Sequence, residues 1–353
     1  MADLFENPLK TDGFDFVEYA GDTETLGQLF ENMGFSPVAK HKDRDITLYR
    51  QGDINFLLNA ETSGQAAAFR EEHNGGASAM AFRVADADFA YDEAVKSGAE
   101  PADADGRSMN ANIPAIKGIG GTLLYFVDNP DFYEDDFEFT TEDKNPKGSG
   151  LTYIDHLTHN VIRGNMEKWG EFYERIFNFR QIRYFDIEGK LTGLVSKAMT
   201  SPCGKIRIPL NESSDDKSQI EEFLERFNGE GIQHIALGTN DICATVDALK
   251  EGGIPLQHTN DTYYEGVEAR VPGHGEDLAA LKERRILIDG APTEGQGLLL
   301  QIFTQDAIGP VFFEIIQRKG NEGFGEGNFQ ALFESIELDQ VRRGVLEDKE
   351  DVA

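Results

Sequence analysis

The sequence predicts an α+β protein of two domains that repeat one architecture. Three observations carry this. The order of strand-like and helical stretches in the first half recurs in the second. Period-two apolar runs are interleaved with helices of period 3.6. A polar segment, EDDFEFTTEDKNPKGSG, separates the halves. The boundaries give residues 12–135 as a first domain, 136–150 as a linker, 151–340 as a second domain and 341–353 as an acidic tail.

Phe14-Asp15-Phe16-Val17-Glu18 opens the first half as a strand, ETLGQLFENMGF follows as a helix, and ITLYRQGDINFLLN supplies alternating strands. AMAFRVADADFAYDEAVKSGAEP reads as a strand, a turn and an amphipathic helix, and GGTLLYFVDNP as a closing strand ending in turn residues. In the second half IDHLTH is the opening strand, and MEKWGEFYERIFNF is a helix with Trp169, Phe172, Tyr173 and Ile176 on one face. Strands follow in TGLVSKAM and KIRIPLN, HIALGTNDICATVDALKEGGIPL repeats the strand–turn–helix unit, and LLLQIF and VFFEIIQR close the half. Each half thus holds two copies of a strand, a helix and several further strands. NFQALFESI spaces Phe329, Leu332, Phe333 and Ile336 at i, i+3, i+4 and i+7, which predicts a C-terminal helix, either packed on the core or gating a cavity. The glycines of GFGEG lack the full dinucleotide-binding spacing and read as a turn.

Composition narrows the function classes. The chain has 353 residues, enough for two domains with sizeable cores, and 39% are hydrophobic. No apolar run reaches the roughly 20 residues needed to span a bilayer. The N-terminus has neither the basic start nor the apolar core of a secretory signal, and Cys203 and Cys243 are too few for a disulfide framework, so a cytoplasmic location is expected. A formal charge of −31 argues against nucleic-acid and anionic-membrane partners and would repel a small anionic substrate unless a cation compensates locally.

Glu314 stands in the apolar run Val311-Phe312-Phe313-Glu314-Ile315-Ile316, where burying a carboxylate requires a cation or hydrogen bonds. Strand parity puts Phe312, Glu314 and Ile316 on one face; the alternative is an edge strand with Glu314 in water. Laying the halves on each other places His156 over Phe16, His234 over Ala79 and Glu314 over Tyr125. Three apolar or small positions of the first half are therefore His, His and Glu in the second, which points to a metal site in the second half only. Two imidazoles and one carboxylate leave three positions of an octahedral metal open, as in non-haem ferrous oxygenases; zinc accepts the same ligands but prefers four. His159 has the opposite parity to His156 and is expected to face away. His41, His73, His258 and His274 fall in polar, loop-like stretches and receive no role.

The motifs DHLTHN, IQHIALGTNDI, LLLQIFT and FFEIIQR–GFGEGNFQALFESIE together resemble the 4-hydroxyphenylpyruvate dioxygenases, a family of the vicinal-oxygen-chelate superfamily. The resemblance implies paired βαβββ modules forming open, half-closed barrels, a metal-free first domain and Fe(II) held by His156, His234 and Glu314. It implies substrate contacts from Ser196, Asn211, Gln219, Gln301, Phe303, Phe312, Phe324, Phe329 and Phe333, with Gln301, Asn211 and Phe329 nearest the chemistry. Gln233 matches as well, but its parity places it behind His234, supporting the ligand at most. The implied reaction takes a 2-oxo acid, 4-hydroxyphenylpyruvate, and O2 to homogentisate and CO2 in tyrosine catabolism, in a homo-oligomer (dimer or tetramer). A sister activity, 4-hydroxymandelate synthase, uses the same metal and substrate, and the aromatic Phe329 favours ring hydroxylation over it. A metal-free binder of small aromatic ligands is the reading from another class.

Overall fold

The computed structural model describes residues 3–102, 113–188, 193–216 and 218–332. Phe333, Ile336 and the acidic tail lie outside the described residues. The first half runs β1 (Phe14–Ala20), α1 (Thr23–Asn32), β2 (Ser36–His41), β3 (Ile46–Gln51), β4 (Ile54–Asn59) and α2 (Gly64–His73). It continues with β5 (Gly76–Arg83), α3 (Ala87–Lys96), β6 (Ala115–Lys117), β7 (Leu123–Val127), α4 (Phe132–Asp136) and β8 (Phe137–Phe139). The second half starts with β9 (Leu151–Val161), α5 (Met166–Phe177), β10 (Arg180–Glu188), β11 (Gly193–Thr200), β12 (Arg207–Ser213) and α6 (Gln219–Phe227). It ends with β13 (Gly231–Thr239), α7 (Ile242–Glu251), α8 (Asp261–Glu265), α9 (Val267–Arg270), α10 (Leu278–Arg284), β14 (Leu287–Gly290), β15 (Leu298–Phe303) and β16 (Phe312–Lys319), followed by helical residues 326–332.

Local chemistry sets these boundaries. Asp22, Asp86, Asp241 and Asp277 cap helix N-termini by accepting a backbone N–H three residues on. Helices α2, α5 and α6 stop at Asn74, Asn178 and Asn228, each in the left-handed conformation that asparagine tolerates better than most residues.

Each half forms a mixed eight-stranded sheet, ordered β6-β7-β5-β1-β4-β3-β2-β8 and β10-β11-β12-β9-β13-β16-β15-β14. The inner pairings match: β1 is parallel to β4 and antiparallel to β5, as β9 is parallel to β12 and antiparallel to β13. Likewise β5 is parallel to β7 and β13 to β16. The repeat is therefore structural: β1–β4, β9–β12 and β13–β16 each follow the βαβββ order, and β5, α3, β6 and β7 supply βαββ among the described residues.

One face of the first sheet buries Phe16, Ala79 and Tyr125 together in an apolar cluster, with Phe16 and Tyr125 rings 5.5 Å apart. These are the positions equivalent to His156, His234 and Glu314, so apolar packing fills in the first half the space that the second leaves open. The opposite faces share a core across both halves, where Tyr19 and Phe56 meet Phe313. His73, expected in a loop, instead ends α2, stacks on Phe227 and hydrogen-bonds the Phe227 and Gly120 carbonyls, tying the halves together. His41 is likewise on a strand, β2, and buried. The sequence reading also passed over β10, whose alternation is broken by charges, and the insertion α8–α10.

Candidate metal centre and substrate cavity

His156 on β9, His234 on β13 and Glu314 on β16 converge from three neighbouring strands. Ala236 on β13 pairs with His156 on one side and with Glu314 on the other. Glu314 is buried at 2% exposure, which excludes the solvent-facing edge strand. Its Oε2 lies 3.2 Å from His156 Nε2 and 3.4 Å from His234 Nε2, and the two Nε2 atoms are 3.4 Å apart. Ligand atoms about 2.1 Å from a metal and at right angles are separated by roughly 3 Å, so the trio fits one face of an octahedron. Among the described residues it is the one group of three such side chains with that convergence.

Hydrogen bonds orient each donor. His156 Nδ1 donates to Asp155 Oδ1 at 2.7 Å, and His234 Nδ1 donates to Gln233 Oε1 at 2.9 Å, so both Nε2 lone pairs face inward. Asp155 is itself gripped by Arg318 at 2.7 and 2.8 Å. Despite burial, that guanidinium and His156 hold the Asp155 carboxyl well below the usual range. Gln301 Nε2 donates to Glu314 Oε1 at 3.0 Å, which leaves Oε2 for the centre. Asn328 fixes the Gln301 amide in turn, and Tyr263 donates to Asn328. Burial raises the Glu314 pKa, but the two imidazoles outweigh it and bring it to about 2. Burial disfavours imidazolium at both histidines; Glu314 and Asp155 together overcome this at His156, whose pKa rises, whereas at His234 only Glu314 opposes burial and the neighbouring His156, and its pKa falls.

Two β-bulges build this arrangement. β9 pairs His156 with Ala236 but Ile154 with Leu237, and β13 pairs Ile232 with His159 but His234 with Thr158. The extra residues are Asp155 and Gln233, and each bulge brings two consecutive side chains to one face. Strict alternation had placed Gln233 behind the sheet; the bulge instead puts it on the cavity wall beside His234. His159 does face away, bonded to Tyr173 at 2.7 Å, and burial lowers its pKa to about 3.

The trio sits in the wall of a cavity of about 550 Å³. Ser196, Asn211, Gln219, Gln301, Phe303, Phe312, Phe324 and Phe329 all line it. Phe312 stacks on His234 at 5.0 Å and Phe324 meets His156 edge-on at 5.3 Å. The lining cations are engaged: Arg226 pairs with Asp306 at 2.6 Å and Arg285 with Asp261. Gly325 closes the turn with φ +76°, and a Cβ there would overlap Gln301 Oε1. Sequence reasoning missed Asp155, Thr158, Arg318, Asn328 and Tyr263. Arg318 was detectable, since it shares strand parity with Glu314; Asp155 was hidden by its bulge.

Fold and site define a member of the glyoxalase/bleomycin resistance protein/dioxygenase superfamily, whose model matches residues 153–272. Residues 5–140 match the model described as hydroxyphenylpyruvate dioxygenase, N-terminal. Hemolysin VllY of Vibrio vulnificus is 61% identical over 350 residues, covering 96% of this chain and 98% of that protein. A 4-hydroxyphenylpyruvate dioxygenase of Pseudomonas aeruginosa is 58% identical over 348 residues, covering 96% and 97%. A mutant of 4-hydroxymandelate synthase from Streptomyces coelicolor superposes with a TM-score of 0.78 at 26% identity, covering 94% of this chain and 99% of that one. The chain belongs to the 4-hydroxyphenylpyruvate dioxygenase family.

Proposed function

We propose that this chain is an Fe(II)-dependent dioxygenase that converts 4-hydroxyphenylpyruvate and O2 to homogentisate and CO2. The carrying observation is the buried trio His156, His234 and Glu314 in the wall of an aromatic-lined cavity, in a chain 58% identical to a relative of that named activity.

His156, His234 and Glu314 would hold the iron. When bound, Fe(II) supplies open positions for a chelating 2-oxo acid and for dioxygen. The residues then account for binding and order. The lining arginines are already paired, so the charge that offsets the substrate carboxylate is that of the centre itself. Asp155, Gln233 and Gln301 hold the three ligands in one tautomer and orientation, removing the cost of arranging them on loading. Phe312 and Phe324 shield the imidazoles from water, and Phe303 and Phe329 offer apolar surface to the ring. Ser196, Asn211 and Gln219 form the polar end that would accept or donate to the ring hydroxyl. Glu314, ionised across the neutral range, serves as ligand, and no other residue is needed as proton donor or acceptor.

Assembly into a dimer or tetramer belongs to the same reading. It is supported by the edge strand β10, which exposes Ile182 and Tyr184, and light scattering tests it. A cytoplasmic location also belongs to it, supported by the two free cysteines. No described helix is long and apolar enough to cross a membrane.

His234→Ala tests the centre: the variant is expected to fold normally but lose iron on dialysis, measured as metal per chain beside the circular dichroism spectrum. Full iron retention would remove His234 from the ligand set.

A further inference from the structure

A row of side chains on the cavity face of the second sheet extends beyond the groups used above. Adjacent strands set Ser196 opposite Asn211, Asn211 opposite Asn160, and Asn160 opposite Gly231. Ser196 and Asn211 reach the cavity. Asn160 shares the face of His156 and Thr158, while His159 beside it points the other way to Tyr173. Asn160 is fully buried, and neither its Oδ1 nor its Nδ2 has a hydrogen-bond partner among the described residues. A buried amide in that state is costly, and a strand position of this kind would otherwise take an apolar residue. Ile220, Phe223 and Phe227 are buried apolar residues of α6, and the Phe227 ring occupies the space over Gly231, the residue opposite Asn160. The polar neighbour left to Asn160 along the row is Asn211.

Position along the strand gives this a direction. Asn160 is four residues from His156 on β9, roughly 13 Å at 3.3 Å per residue. A flat aromatic 2-oxo acid anchored at the trio would project its ring toward that end of the cavity. We infer that Asn160 is a positioning residue for the ring hydroxyl: its amide hydrogen-bonds the Asn211 side chain when substrate is bound. That bond fixes which end of the Asn211 amide meets the hydroxyl. The inference rests on the activity proposed above.

The test compares Asn160→Val with Asn160→Thr, two residues of nearly equal shape that suit a strand and differ in one hydroxyl. Two constants are measured on the Fe(II)-loaded enzyme: KM for 4-hydroxyphenylpyruvate, and the inhibition constant of phenylpyruvate, which lacks the ring hydroxyl. Asn160→Val should raise the first about ten-fold and leave the second within about two-fold, while Asn160→Thr recovers most of the loss. A purely structural role would move both constants together. Joint movement, no movement, or equal effects of Val and Thr would each overturn the inference while leaving the activity in place. Absence of homogentisate from the wild type would instead overturn the activity, and this inference with it.

Discussion

Glu18→Gln probes the first half of the chain, where the cavity equivalent to the metal centre is filled. Glu18 is buried at 1% exposure on β1. Asn59 donates to its Oε1 and Ser78 hydrogen-bonds it, while Oε2 has no partner among the described residues. Burial outweighs these bonds and raises its pKa from 4.5 to about 7. Between those values the native state keeps a proton that the unfolded state has released, so stability falls as pH rises. The loss approaches 1.4 kcal/mol per pH unit inside the window, about 2 kcal/mol between pH 5.5 and pH 8. Glutamine preserves the shape and the acceptor facing Asn59 but cannot ionise. Urea unfolding of both proteins at the two pH values isolates the effect, because every other titrating group is common to both. The wild type should lose about 2 kcal/mol more than Glu18→Gln on going to pH 8. Parallel pH dependence in the two proteins would refute a neutral, buried Glu18.

Two further substitutions address the supports of the centre. Gln233→Leu removes the acceptor of His234 Nδ1, and iron affinity should fall about 10- to 100-fold with little change in unfolding midpoint, as measured by competition with a chelator. Gly325→Ala forces a Cβ onto Gln301 Oε1 at a left-handed backbone position. Turnover at saturating substrate should drop at least about ten-fold as the Gln301–Glu314 bond is displaced, whereas unchanged kcat would show that the turn accommodates the methyl group.

The three ligands could be read from the sequence because each half serves as a control for the other. The substitutions of His156, His234 and Glu314 for Phe16, Ala79 and Tyr125 need only strand order, and strand order survives small errors in alignment. Parity also gave the shared face of Phe312 and Glu314 and the turn of His159 away from the cavity. It failed at Gln233, because a bulge inserts a residue without any marker in composition, and Asp155 was hidden for the same reason. Tyr263 and Asn328 were illegible on other grounds: their contact joins an inserted helix to the residues after β16, a pairing that no local period encodes. Asn160 emerges only when register shows which side chain it lies beside.

Oxygen uptake by the Fe(II)-loaded protein given 4-hydroxyphenylpyruvate, with chromatographic identification of the product, decides whether this chain is a dioxygenase of that substrate. The iron-loaded protein should consume O2 and substrate stoichiometrically and release homogentisate. No uptake by protein with iron demonstrably bound would contradict that assignment.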